Sequence, residues 1–150
     1  MRAGQLFVLL WLVTLAACAR RCGNDHDLVL PTERPGRARR ERLQDVSLYT
    51  LEVGPTQGTL RIVVHGGPGL DHTYLRPWLD PLGQHARLLY IDLRGHGRSD
   101  PPPDVQGYTI SAAAADLAGL IVARGNGEPA DVLGHDFGAA VVLELAARHP

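Results

Sequence analysis

Short apolar runs alternate with helical patterns from residue 45 onward, and this alternation restricts the fold more than any other feature of the chain. The runs TLRIVV (59–64), RLLYID (87–92) and ADVLGH (130–135) are each followed by a loop that contains glycine. Segments with helical spacing lie at 109–125 and 137–149. Buried strands that alternate with helices predict an α/β fold, with a mostly parallel sheet and flanking helices.

Two further segments extend this pattern. VSLYTLEV (46–53) alternates in hydropathy and predicts another strand. YLRPWLDPLGQH (74–85) has helical spacing, but its two prolines predict a helix that is short or broken. Either Thr109 or Ser111 is placed to cap the N-terminus of the helix that follows.

The composition narrows the class of protein. With 45% hydrophobic and 21% charged residues, the 150-residue chain is typical of one modest globular domain. Its formal net charge of −1 gives no reason to expect a nucleic acid partner. The chain contains no metal-ligand spacing, no G-x-G-x-x-G pattern and no P-loop. We therefore predict no metal and no cofactor.

The N-terminal segment is typical of an exported protein. Arg2 precedes the apolar run LFVLLWLVTLAA (6–17), which is shorter than the roughly 20 residues that a transmembrane helix needs. The run ends in LAAC, which resembles a bacterial lipobox. We expect a lipoprotein signal peptide over residues 1–17, a lipid anchor on Cys18 and a place in the cell envelope. The alternative is cleavage at the A-x-A site formed around this cysteine, which would leave a periplasmic or secreted protein.

Residues 18–44 are polar, contain two prolines, and have few large apolar side chains. This composition predicts a flexible tether, rich in Arg and Pro, in front of a folded domain over residues 45–150. The segment carries a group of arginines that we interpret as a solvated linker, with contact to anionic lipid headgroups as the alternative. These arginines are Arg34, Arg37, Arg39, Arg40 and Arg42.

The stretch GHDFG (134–138) joins the last apolar run to the last helix. This is the setting of a nucleophile elbow of pattern G-x-S-x-G, with Asp136 in place of the serine. Gly134 and Gly138 lie two residues before and two residues after Asp136. Glycine is expected at both positions because side chains there would collide in so sharp a turn. The central residue of such a turn often has positive φ, and Asp tolerates that conformation better than most residues.

Three motifs occur in the order and spacing of the α/β-hydrolase fold: HGGPG (65–69), DLRGHGRSD (92–100) and GHDFGAA (134–140). The stretch that contains the first two most resembles prolyl iminopeptidases. The resemblance covers residues 45–150 and implies an α/β-hydrolase fold with a small-molecule substrate.

The resemblance also assigns roles. The N–H of Gly67, in the first motif, and that of Phe137, after the elbow residue, would form the oxyanion hole. His65 is expected to make structural hydrogen bonds. Ser99 and Asp100 are expected to hold their own loop.

An Asp nucleophile favours particular chemistry. Acyl transfer to a carboxylate gives a reactive mixed anhydride, whereas displacement at sp³ carbon gives an alkyl ester. GHDFGA and HGGP resemble epoxide hydrolases, which use such an ester. Haloalkane dehalogenases are an alternative, but they usually place Trp and Asn where this chain has Phe137 and Gly67. A further alternative is a non-catalytic relative of prolyl iminopeptidases or esterases that has lost its Ser.

The remaining catalytic groups are expected elsewhere. In this fold the nucleophile is followed along the chain by an acid and then by a His. We expect both beyond Pro150, together with a substrate-selecting cap, so that this chain is the N-terminal half of the hydrolase domain. On this interpretation the 150 residues alone are inactive.

Overall fold

A computed structural model describes residues 32–149. Five strands form one mixed sheet in the order β1-β2-β4-β3-β5. Strands β3, β4 and β5 run parallel to one another, and β2 is antiparallel to both β1 and β4. The predicted α/β fold is therefore confirmed, with the parallel strands β4, β3 and β5 on one side of the sheet and the antiparallel strands on the other. The strands are β1 (Gly36–Arg42), β2 (Ser47–Val53), β3 (Leu60–Val64), β4 (Arg87–Ile91) and β5 (Ala130–Gly134).

Two α-helices, α1 (Ile110–Arg124) and α2 (Phe137–Arg148), lie where the sequence predicts them. Thr109 caps α1, because its side chain accepts a hydrogen bond from the Ala112 N–H. The proline-containing segment is broken as predicted and forms short 3₁₀ helices at His72–Leu75 and Asp80–Gly83. A third 3₁₀ helix covers Val105–Gly107. Between residues 32 and 149, no helix combines the length and the apolar character needed to span a membrane.

The central strands are buried on both faces, which explains why their sequences are continuous apolar runs. One face of the sheet packs against Leu117 and Leu120 of α1 and against Val141 of α2. The opposite face packs Tyr90 against Leu75 of the first 3₁₀ helix. Burial of these side chains keeps β3, β4 and β5 in register, so the loops that follow them lie side by side.

The prediction of a flexible tether over residues 18–44 is wrong for residues 36–42, which form β1. This strand pairs with β2 along its whole length, so the folded domain begins before residue 45. An edge strand needs only backbone partners on one side, and its arginines remain at the surface where carboxylates neutralise them. The Arg37 guanidinium lies 3.0 Å from Oε1 of Glu52, and the Arg40 guanidinium lies 2.7 Å from Oδ1 of Asp100.

The signal peptide over residues 1–17, the lipidated Cys18 and the first part of the tether lie outside the described residues. They stay predictions of the sequence.

Candidate active site

The three sequence motifs meet at one edge of the sheet. The loop 65–69 follows β3, the loop 92–100 follows β4, and the turn 135–136 follows β5. Because β3 lies between β4 and β5, its loop is central and contacts both of the others. In open α/β sheets, ligands bind at this carboxyl edge.

The turn after β5 has the backbone of a nucleophile elbow. Asp136 has φ 52° and ψ −119°, so the predicted positive φ is confirmed. A Cβ on Gly134 would lie 2.4 Å from the Gly138 carbonyl oxygen. A Cβ on Gly138 would lie 2.5 Å from the carbonyl oxygen of His65. Both contacts are too short, so a side chain at Gly134 would force the elbow apart, and one at Gly138 would push α2 away from β3.

The Asp136 carboxylate lies against the loop after β3. The Gly67 N–H donates to Oδ2 across 3.1 Å. Hydrogen bonds from the N–H groups of Gly67 and Phe137 hold the pKa of this exposed carboxyl below its usual value. The structure therefore brings together Asp136 and both N–H groups that the sequence assigns to the oxyanion hole.

Glycine is needed in this loop for close approach. A Cβ on Gly66 would lie 2.9 Å from Oδ2 of Asp136, and Gly67 has φ 131°, which L side chains rarely adopt. Any side chain at position 66 would push the loop away from the carboxylate.

Tyr74 joins this site, although nothing in the sequence distinguishes it. The Gly66 N–H donates to the Tyr74 hydroxyl across 2.8 Å, and the same hydroxyl lies 2.8 Å from Nδ1 of His135. Tyr74 lies in the 3₁₀ helix that follows the loop, in a segment where the sequence shows only a broken helical pattern. Only the folded chain brings it beside the elbow.

His65 is structural, as expected. Its ring is fully buried, and Nε2 accepts a hydrogen bond from the Leu93 N–H across 3.0 Å. Nδ1 therefore carries the proton and donates to the Gly66 carbonyl oxygen across 2.6 Å. Burial lowers the pKa of His65, which favours this neutral form. The ring thus links the loop after β3 to the one after β4.

A buried carboxylate, Asp92, joins the loop after β4 to the 3₁₀ helix His72–Leu75. Asp92 accepts hydrogen bonds from the backbone N–H and Nδ1 of His72, across 3.0 and 2.7 Å, and from the Arg98 N–H across 2.9 Å. Burial alone would raise the pKa of Asp92, but these hydrogen bonds outweigh it and lower the pKa. Asp71 completes a group of three potential metal ligands within 4.8 Å of one another. Oxygen or nitrogen atoms of all three are already used in hydrogen bonds, between His72 and Asp92 and between Asp71 and Thr73.

Ser99 holds its own loop, as expected, whereas the Asp100 side chain joins that loop to β1. The Ser99 hydroxyl donates to the Asp92 carbonyl oxygen across 2.6 Å and accepts from the Tyr49 N–H across 2.8 Å. Asp100 pairs with Arg40 of β1. Neither contacts the Asp136 carboxylate, so the geometry supports a structural role for both.

A mostly apolar cavity of about 260 Å³ adjoins the elbow. Phe137 and Pro68 line the side next to the oxyanion hole, and Leu93 and Tyr108 line other parts of its wall. A cavity with these walls suits an apolar group better than a charged one.

The sequence of this chain is similar to those of known hydrolases. Residues 62–150 match the family model described as alpha/beta hydrolase fold. The chain is 34% identical over 88 residues to a proline iminopeptidase of Saccharolobus solfataricus, covering 59% of this chain and 28% of that protein. It is 29% identical over 109 residues to epoxide hydrolase 1 of Caenorhabditis elegans, covering 73% of this chain and 26% of that protein. The chain thus spans about a quarter of the length of these two curated relatives.

Solved structures show the same two kinds of relative. A proline iminopeptidase-related protein from Thermus thermophilus superposes with a TM-score of 0.70 at 36% identity, over 77% of this chain and 41% of that one. An epoxide hydrolase from Vigna radiata superposes with a TM-score of 0.69 at 28% identity, over 77% of this chain and 35% of that one.

Proposed function

The chain belongs to the alpha/beta hydrolase fold family, and from this premise we propose that it serves an epoxide hydrolase-like reaction with Asp136 as nucleophile. The observation that carries the proposal is the carboxylate itself. Asp136 lies on a positive-φ elbow, with Oδ2 3.1 Å from the Gly67 nitrogen. Relatives named epoxide hydrolases, from Caenorhabditis elegans and Vigna radiata, support the choice of substrate class.

The first step forms an ester. The Asp136 carboxyl is exposed and its pKa lies below the ordinary value for Asp, so it is ionised at neutral pH. Its second oxygen, Oδ1, attacks one carbon of the epoxide, and the bond between that carbon and the ring oxygen breaks. The ring oxygen leaves as an alkoxide and takes a proton from water, so that it becomes a hydroxyl group and the water becomes hydroxide. The product is a hydroxyalkyl ester of Asp136.

The second step hydrolyses this ester. Water attacks the carbonyl carbon of the Asp136 ester, and negative charge develops on Oδ2. The N–H groups of Gly67 and Phe137 are in place to stabilise that charge. One such donor typically contributes about 10²–10³-fold to the rate. Collapse of the intermediate releases a diol, and one oxygen of the regenerated carboxylate comes from water.

The water needs a base, which in this fold is a His that follows the nucleophile along the chain. Between residues 32 and 149, no histidine hydrogen-bonds to the Asp136 carboxylate. His149 lies at the far end of α2, roughly 18 Å from the elbow at about 1.5 Å per helical residue. In this proposal the described residues supply the nucleophile and the oxyanion donors.

Isotope incorporation tests the ester step directly. The protein, as its own host produces it, is allowed a single turnover of styrene oxide in water enriched in ¹⁸O, and the peptide that contains Asp136 is weighed. We expect one heavy oxygen in the Asp136 carboxylate, because water attacks the ester carbonyl. Diol formation with an unlabelled Asp136 would show that the mechanism is wrong.

Two variants sharpen this test. Asp136→Ala should abolish both labelling and turnover. Asp131→Asn is the matched control, because Asp131 is an exposed carboxylate on β5 whose partner is Arg61, at 3.0 Å. This control should retain the labelling and the rate of the unaltered protein.

The iminopeptidase-like relatives favour a second candidate function. The Saccharolobus and Thermus proteins are named proline iminopeptidase and proline iminopeptidase-related. If this site belongs to a serine-type branch that has lost its nucleophile, Asp136→Ser should restore hydrolysis of proline p-nitroanilide. The unaltered protein would then turn over neither this substrate nor styrene oxide.

Dehalogenation fits the site less well. The side chains of Gly67 and Phe137 have no N–H or O–H with which to hold a halide ion. Release of chloride from 1-chlorobutane, without turnover of styrene oxide, would reverse this preference.

We also propose export and lipid anchoring through Cys18, a proposal supported by the sequence pattern alone. Mass spectrometry of the N-terminal peptide from the host should show a lipid-modified Cys18, and Cys18→Ser should release the protein from membranes. An unmodified N-terminus at Arg20 would indicate a free periplasmic or secreted protein instead.

A further inference from the structure

We propose that Tyr74 is a positioning residue that holds the oxyanion hole against the elbow. The Tyr74 hydroxyl group forms hydrogen bonds with both the Gly66 N–H and Nδ1 of His135, across 2.8 Å in each case. The inference rests on the proposed role of Asp136 and extends it to a residue that does not touch the reacting atoms.

The hydrogen-bond directions make Tyr74 a bridge. A backbone N–H can only donate, so the Tyr74 oxygen is the acceptor from Gly66. Towards His135, either the Tyr74 hydroxyl donates to Nδ1 or Nδ1–H donates to a second lone pair of the oxygen. In both cases one phenol oxygen ties the loop after β3 to the residue that immediately precedes Asp136.

The loop needs such a tie because two successive glycines form it. Glycine has wide backbone freedom, so nothing intrinsic directs the Gly67 N–H toward Asp136. His65 fixes the peptide unit between Gly66 and Gly67, since its ring donates to the Gly66 carbonyl oxygen across 2.6 Å. Tyr74 fixes the nitrogen of Gly66. Together the two rings hold Gly66 at both its N–H and its C=O, and so aim the next N–H at the carboxylate.

The two chemical steps use this hole unequally. Attack by the carboxylate removes negative charge from Asp136, whereas hydrolysis of the ester builds charge on Oδ2. Loss of the bridge should therefore slow ester hydrolysis more than ester formation. Because Tyr74 acts through Gly67 and donates nothing to Oδ2, the expected loss is about tenfold, below the 10²–10³-fold typical of removing a donor itself.

The test compares Tyr74→Phe with the unaltered protein, both produced in the native host. Rapid-quench reactions with styrene oxide, followed by intact-mass measurement, give the rates of ester formation and of ester hydrolysis. In Tyr74→Phe we expect the rate of ester formation to stay within about twofold of that of the unaltered protein, and the rate of ester hydrolysis to fall about tenfold. The covalent adduct should therefore accumulate at steady state. Tyr74 is 37% exposed, so loss of its hydroxyl should leave the protein folded.

Tyr49→Phe is the matched control. The Tyr49 hydroxyl bonds Arg98 across 2.7 Å, away from the elbow. Its removal should change neither rate.

Hydrogen exchange of the Gly66 amide provides a readout that does not depend on activity. Tyr74→Phe should expose this N–H and speed its exchange, while Tyr49→Phe should not. Unchanged adduct levels together with an equally protected Gly66 amide would overturn the inference. If the unaltered protein forms no adduct, the proposed function fails, and Gly66 exchange alone then decides whether Tyr74 holds the loop.

Discussion

Gly138→Ala is expected to destabilise the protein, although alanine is a better helix former than glycine. Gly138 is buried in the first turn of α2. A Cβ there would lie 2.5 Å from the His65 carbonyl oxygen and 2.6 Å from that of Val64. Because real Cβ contacts essentially never fall below 3.0 Å, α2 must move away from β3 by about 0.5 Å.

The magnitude follows from two opposing contributions. Overpacking of this kind costs about 1–3 kcal/mol of unfolding free energy. Replacing glycine by alanine within a helix returns up to about 1 kcal/mol. Because Gly138 lies in the first turn, where the propensity gain is smallest, the cost dominates, and we expect a net loss between about 0.5 and 3 kcal/mol for Gly138→Ala. Gly119→Ala in α1 is the matched control, because its Cβ would meet Leu43 at 3.4 Å, an ordinary contact. That variant should gain about 0.5–1 kcal/mol.

Urea denaturation followed by circular dichroism measures both changes. The midpoint should fall for Gly138→Ala and rise for Gly119→Ala, with similar slopes. The same displacement misaligns Asp136 and its N–H donors, so turnover should fall at least tenfold in Gly138→Ala and stay unchanged in the control. Equal stabilisation of the protein by the two substitutions would refute this reasoning.

Further predictions concern the groups that support the site. Asp92→Ala should cost about 3–5 kcal/mol in urea denaturation, because it leaves buried donors on His72 without an acceptor; a loss below about 1 kcal/mol would contradict this. Since the pKa of Asp92 is lowered by folding, its contribution is complete above the unfolded carboxyl pKa near ~4 and is lost as the pH falls toward the folded value. Asp92→Asn should therefore flatten the acid limb of the stability curve. Thr109→Ala removes the cap of α1 and should lower stability by about 1 kcal/mol, whereas Thr109→Ser should restore it. Arg94→Ala should cost about 3–5 kcal/mol, because it strands the buried Asp116 carboxylate, 2.7 Å from the guanidinium; replacing both partners by apolar residues should cost less.

Local patterns in the sequence were enough to predict most elements. The apolar runs that became β3 and β4 are buried on both faces, so nearly all of their residues are apolar and the runs are recognisable in the sequence. The run that became β5 lies at the edge of the sheet and is only partly buried. The elbow was equally accessible, because residues 134–138 form a recognisable local pattern and a Cβ on Gly134 would collide with Gly138 itself. Gly138 is different, because the carbonyl oxygens of Val64 and His65, in and after β3, leave no room for its side chain.

The N-terminal edge of the domain was not accessible in this way. GRARRER (36–42) has the composition of a linker, yet it forms β1 because β2 offers it a complete row of backbone partners. Two of its arginines, Arg37 and Arg40, form salt bridges with Glu52 and Asp100, which lie outside this segment of the sequence. Composition describes what a segment can bury, and an edge strand needs to bury little.

The sequence by itself determined the α/β fold, the position of the elbow and the identity of its central carboxylate, because these can be recognised from periodicity or from the local pattern of residues 134–138. Only the tertiary structure decided that Oδ2 of Asp136 accepts from Gly67, 69 residues away, and that Tyr74 bridges the same loop to His135, 61 residues away. Such contacts follow from the parallel alignment of β3 with β5, which sets their loops at one edge of the sheet. Hydrogen bonds between those loops are directional and short. The family resemblance pointed to the N–H of Gly67, but the Tyr74 bridge has no sequence signal and follows only from the aligned strands.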